Sequence, residues 1–127
     1  MADKKWIPYF EKLKDPRWQK VRLLILERAR FACELCSDNK STLHVHHGCY
    51  LRGLEPWEHH PNTLWCLCET CHDEVQDTMH DLHLELGRTP PSLLSACLHA
   101  ILDVRKKDDE QWLEIEKWKD EWRAANP

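Results

Sequence analysis

Four cysteines in two C-x-x-C pairs, Cys33/Cys36 and Cys68/Cys71, flank a His-His dipeptide, His46-His47, and His72 follows the second pair directly. Sulfurs paired at this spacing suit a closed, tetrahedral zinc site. That use of the cysteines leaves three imidazoles for other work. A neutral imidazole titrates at about 6.5, so it can ligate a divalent metal or take a proton from water near neutrality. Metal-dependent hydrolysis is the chemistry these residue types could perform. A plain zinc ribbon is the bland alternative for the cysteines. For His46 and His47 the bland alternative is a solvated strand end, and for His72 a helix-start histidine or a substitute zinc ligand.

Helices must carry most of this chain. Asp15-Pro16 reads as an N-cap followed by proline at the first helical position. Trp18, Val21, Leu24, Ile25 and Ala29 then recur at helical spacing, which predicts a helix over Pro16 to Arg30 with that stripe in the core. Cys33 to Cys36 is a tight knuckle. Thr42 to His46 alternates as a short strand, with His44 and His46 on one face and Leu43 and Val45 on the other. Gly48 to Pro61 reads as a loop, with a second short strand near Tyr50. From Cys71 the spacing of Val75, Met79, Leu82 and Leu86 predicts a helix ended by Gly87. Thr89-Pro90-Pro91-Ser92 restarts a helix through Leu102, Lys106 to Glu110 is a charged connector, and Trp112, Ile115, Trp118 and Trp122 form the stripe of a last helix.

The 127 residues suffice for one domain of ordinary globular composition. Met1 to Lys5 has no apolar stretch of a secretory signal, which leads to an expectation of reduced thiols and a cytoplasmic location. No membrane partner is expected. The net charge of −4 divides unevenly: +5 over Met1 to Phe31, −3 over Ala32 to His72 and −6 from Asp73 onward. Phosphate contacts depend on local charge, so the basic arm is compatible with nucleic acid although the whole chain is acidic.

Leu43-His44-Val45-His46-His47, its flanking C-x-x-C pairs and the closing Leu67-Cys68-Glu69-Thr70-Cys71-His72 resemble an HNH endonuclease of the zinc-stapled kind, over about Trp18 to His72. Asp15-Pro16-Arg17-Trp18 and the Pro56-Trp57-Glu58 loop are similar to phage and bacterial members. The resemblance implies an α+β, mostly helical fold. Its ββα-metal core with an N-terminal helix would occupy residues 1–87, and a helical extension residues 88–127. It implies DNA phosphodiester hydrolysis, with His47 as general base and His46 and His72 holding a catalytic divalent metal (Mg2+, Mn2+, Ni2+ or Zn2+). Cys33, Cys36, Cys68 and Cys71 would hold a structural zinc.

The family's middle asparagine falls on Thr63, with Asn62 one residue earlier, and a frequent later histidine falls on Gln76. These departures keep open a zinc-stabilised adaptor that binds DNA or a protein without cutting. A metal-dependent hydrolase of some other substrate has little support beyond the imidazoles. DNA contacts are expected from Arg17, Lys20, Arg28, Arg30 and Arg52 through phosphate pairing. The acidic helical tail is expected to pack internally, or to serve a homodimer or a protein partner. His59-His60 is a second dipeptide that could reach a metal or a phosphate. His83 and His99 are expected at the core edge. Cys49, Cys66 and Cys97 are expected as small apolar residues, Cys66 also as a possible substitute ligand.

Overall fold

Proline at the first helical position and an aspartate before it set the start of the main N-terminal helix as expected. A computed structural model describes residues 6–105 and 109–127, with the side chains of 109–112 also left out. Met1 to Lys5, residues 106–108 of the connector and the Trp112 side chain therefore lie outside the described residues. The protein is α+β: α1 (Tyr9–Lys12), α2 (Pro16–Arg28), β1 (Leu43–His47), β2 (Leu64–Cys68), α3 (Glu69–Arg88), α4 (Leu94–Arg105) and α5 (Asp109–Ala125). The chain divides into two units, Met1–Cys71 and His72–Pro127, with the division falling inside α3.

In the first unit the Asp15 carboxylate accepts from the Arg17 backbone N–H at 2.8 Å, capping α2. The helix ends at Arg28 and not at Arg30, because Arg30 and Phe31 both take left-handed backbone angles (φ 55° and 54°). Two successive non-glycine residues in that region are strained, and they turn the chain into the cysteine knuckle. Trp18, Ile25 and Leu26 are buried, with Val21 and Ala29 packed beside them. Leu24 is exposed, contrary to the sequence stripe. It lies roughly 120° around the helix from Trp18, whereas Leu26 lies about 80° from it.

β1 and β2 form a two-stranded antiparallel sheet in which Leu43 faces Cys68, Val45 faces Cys66 and His47 faces Leu64. The second strand is thus Leu64–Cys68 and not a segment near Tyr50, which sits in the intervening loop. Leu64 and Cys66 are fully buried and join Trp18, Ile25 and Leu26 in the core, which bears out Cys66 as a small apolar residue. Beyond the strand pair, Gly48 N–H donates to the Thr63 carbonyl at 2.8 Å. A Cβ on Gly48 would meet the exposed Trp65 ring at 2.2 Å and the Thr63 carbonyl oxygen at 3.2 Å, so a side chain there would force the indole to move.

The second unit is helical. α3 starts at Glu69, two residues before the expected Cys71, and runs through Gly87, which takes no left-handed angle. Arg88 ends it ahead of Thr89-Pro90. A short 3-10 turn over Pro91–Leu93 leads into α4, and α5 begins inside the expected connector. No described residue from His72 onward is buried. His83 and His99 are exposed and not at a core edge, because their helices enclose no core of their own. Ile115, Trp118 and Trp122 are half-buried. None of the helices in the described residues is long and apolar enough to cross a membrane.

Candidate functional site

The knuckle's backbone brings the four sulfurs together. Cys33 N–H donates to Asp38 O at 2.8 Å and Ser37 N–H to Cys33 O at 2.9 Å, closing the turn. Glu34 locks that turn to β2 twice: its N–H donates to Cys66 O, and its carboxylate accepts from Cys66 N–H, both at 2.8 Å. Antiparallel pairing and the start of α3 then deliver Cys68 and Cys71. The Sγ atoms of Cys33, Cys36, Cys68 and Cys71 all lie within 4.8 Å of one another. Cys36 and Cys68 are 3.7 Å apart. Tetrahedral coordination with bonds of about 2.3 Å has edges of about 3.8 Å, so the tetrad fits a zinc ion. Burial pushes the Cys33 thiol up, but N–H groups of Cys36, Cys68 and Leu35 outweigh it and bring the thiol down to about 6. Backbone donors around a sulfur favour the thiolate that a metal requires. Cys66 stands outside the tetrad.

Arg28 supports the same corner. Its guanidinium donates to both Glu34 carboxylate oxygens, at 3.2 and 3.0 Å. It also donates to the carbonyls of Pro61 (2.9 Å) and Leu64 (2.6 Å). The side chain expected to meet phosphate thus commits its donors inside the chain, tying α2 to the knuckle and to β2. Arg17 pairs with Asp15 at 2.9 Å and lies over the Trp57 ring at 4.1 Å. Lys20, Arg30 and Arg52 are exposed.

His46 and His47 leave β1 on opposite faces, as adjacent strand residues must. His46 is half-buried and faces Trp65 across the sheet. His47 continues the inward face of Leu43 and Val45 and is only 7% exposed. Its ring stacks between Trp18 (4.8 Å) and Tyr50 (4.9 Å), both at 22°. Nε2 lies 3.0 Å from the Pro56 carbonyl oxygen. A carbonyl can only accept, so Nε2 carries the proton and the lone pair of the neutral ring sits on Nδ1. Burial lowers the His47 pKa below its ordinary value, and His59 nearby adds to this, while the Pro56 hydrogen bond partly opposes it. Among the described residues, Nδ1 makes no hydrogen bond.

The remaining expected residues divide in two. Thr63 is buried, and its hydroxyl donates to His60 O at 2.7 Å. The bond braces the Pro61–Thr63 turn locally. Asn62 is half-buried, and its N–H donates to His60 Nδ1 at 3.1 Å. His72 follows Cys71 on α3 and is half-buried. Sequence reasoning missed the contribution of His59, which is 4% exposed and stands edge-on to His47 at 5.2 Å. Spacing gives no reason to separate it from its neighbour His60. Tyr50, three residues past the candidate base, is placed by the loop to stack on it.

Comparison with known protein families, with curated proteins and with solved structures finds no match. The functional reading therefore rests on the residues and their geometry.

Proposed function

We propose that this protein is a metal-dependent endonuclease or nickase that hydrolyses DNA phosphodiester bonds, a zinc-stapled nuclease of the HNH type. The observation that carries the reading is His47. A buried imidazole that is kept neutral, with its proton fixed on Nε2 by a carbonyl, presents Nδ1 as a base. An antiparallel strand pair running straight into a helix, with a sulfur tetrad at the junction, supports a ββα-metal core stapled by zinc. In this reading His47 Nδ1 takes the proton from the attacking water while the Pro56 carbonyl steadies the imidazolium that results. The water oxygen bonds to phosphorus as the bond to the 3′ oxygen breaks. His46 and His72 are assigned as ligands of a divalent cation. Imidazole donors suit the later first-row metals, and two protein ligands leave open positions. Such an ion would neutralise phosphate charge and stabilise the leaving oxygen. Arg17, Lys20, Arg30 and Arg52 are assigned to sequence-independent phosphate contact.

Incubation with supercoiled plasmid across magnesium, manganese, nickel and zinc tests this. Relaxation that requires a divalent ion, and that falls in both His46→Ala and His72→Ala with the tetrad still loaded, supports the reading. Undiminished relaxation in both variants contradicts the ligand assignment. A second reading, a zinc-stabilised adaptor without cleavage, draws on Thr63, which stands in the family's asparagine slot and whose hydroxyl donates to His60 O within its own turn. It predicts DNA or protein binding with an intact plasmid under every metal.

We assign the exposed apolar side chains of α3 and α4, among them Met79, Leu82, Leu98 and Ile101, to contact with a second copy of this chain. Among the described residues, ten large hydrophobics from Met79 onward are exposed. Burying apolar surface of this kind stabilises association by about 25 cal/mol per Å². Light scattering should give twice the chain mass. A monomer at tens of micromolar would contradict the assignment.

A further inference from the structure

His59 has both ring nitrogens engaged. Nδ1 lies 3.0 Å from the Glu55 carbonyl oxygen and must donate to it, while Nε2 accepts from Leu51 N–H at 3.2 Å. One donor and one acceptor define a neutral ring with its proton on Nδ1. The two residues it grips adjoin the two that fix His47. Leu51 follows Tyr50, whose ring stacks on His47, and Glu55 precedes Pro56, whose carbonyl receives the His47 proton. Between the grip points the chain closes on itself: Leu54 N–H donates to Leu51 O at 3.2 Å, and Gly53 takes the left-handed angle (φ 85°) that the turn needs. Beyond them, Glu55 N–H donates to the Glu58 carboxylate at 2.7 Å, holding Pro56 at the head of its 3-10 turn. His60, by contrast, spends Nδ1 on Asn62 N–H within its own turn.

We infer that His59 is a positioning residue for His47: by clamping Leu51 and Glu55 it holds the Tyr50 ring and the Pro56 carbonyl where they keep the His47 proton on Nε2. In this role it touches neither substrate nor metal. The consequence for catalysis rests on the reading of His47 as general base, but the His47 tautomer is a property of the folded chain alone.

Long-range 1H–15N correlation spectra of the zinc-loaded protein, recorded well above the imidazole titration range without added divalent ion, report which nitrogen carries the proton. The His47 signals are assigned by their loss in His47→Ala. Wild type is expected to show the Nε2–H form alone. His59→Leu, similar in bulk but without donor or acceptor, is expected to show a mixture of both forms. His59→Gln, which keeps one donor and one acceptor, should return His47 to Nε2–H. In the same variants kcat for plasmid nicking should fall about 10- to 100-fold in His59→Leu with little change in KM, and recover in His59→Gln. Zinc content and circular dichroism check the fold. A folded His59→Leu protein with His47 still purely Nε2–H would overturn the inference, as would a folded His59→Gln protein with mixed forms. Should His59→Leu fail to fold, the His59→Gln spectrum decides alone: pure Nε2–H supports the clamp and a mixture overturns it. If His47→Ala nicks DNA as fast as wild type, the general-base reading fails while the tautomer comparison still decides the clamp.

Discussion

The two units of this chain are held by different physics. In Met1–Cys71, a cluster of five buried apolar side chains is supplemented by polar contacts of fixed geometry: the Arg28 fork, the Glu34 lock, the Asp15 cap and the two-handed His59. From His72 onward the structure is helix after helix, with apolar stripes in exposed or half-buried positions and no buried residue among those described. A core of five residues is too thin to stand alone, and a lone strand pair is marginal in water. The first unit therefore depends on its sulfurs, while the second depends on what its stripes meet. Residue-specific geometry, and with it any chemistry, is concentrated where the polar contacts are.

The largest effect should come from denying the four cysteines the zinc they are proposed to hold. Structural zinc contributes on the order of 10 kcal/mol in small domains, more than a five-residue core can replace. A strong chelator, or Cys68→Ser, should abolish amide protection in β1 and β2. Helical circular dichroism from the second unit should survive better. Equal loss in both units, followed by hydrogen exchange, would erase the contrast between them. Next in size is Arg28→Met, which keeps the stem and removes the fork. It leaves the Leu64 carbonyl and the Glu34 carboxylate short of partners, at a cost of about 2–3 kcal/mol in urea denaturation. A change below about 0.5 kcal/mol would show that the corner is held by the sulfurs alone.

Leu82→Glu combined with Leu98→Glu should leave the stability of the first unit unchanged and shift the protein toward monomer by light scattering. The second unit carries net negative charge, so association of the wild type should strengthen as salt screens repulsion. Weakening with salt would point instead to a basic partner surface. The smallest effect concerns pH. Burial disfavours protonated His47, so the unfolded chain binds more protons than the folded one between the two pKa values. Stability from this group is complete above about 6.5 and is lost as pH falls through the lower, folded value. Urea denaturation from pH 7.5 downward should show this slope, and His47→Phe should flatten it.

The sequence shows the covalently local features and hides those that need a third dimension. Asp15-Pro16, the C-x-x-C pairs and the alternation of Leu43 and Val45 each encode a contact within a few residues, and each is found in place. The second strand was missed because Leu64–Cys68 has no alternation: it is buried at Leu64, Cys66, Leu67 and Cys68, and such a run reads equally well as a lead into the knuckle. Arg28 looked like a phosphate ligand because nothing nearby in sequence announces the Pro61 and Leu64 carbonyls, more than thirty residues away. His59 was hidden for the same reason, since both of its partners are backbone atoms and carry no residue signature. The helix stripes were legible, but stripe geometry says only that a face is apolar and not what covers it.

The most direct measurement of the central claim is the rate of plasmid nicking by His47→Ala, with one zinc per chain and wild-type circular dichroism verified first. A base contributing in the usual range predicts a rate lower by about 10²- to 10⁴-fold in the presence of a divalent ion. A folded, zinc-loaded His47→Ala protein that nicks DNA at the wild-type rate would contradict it.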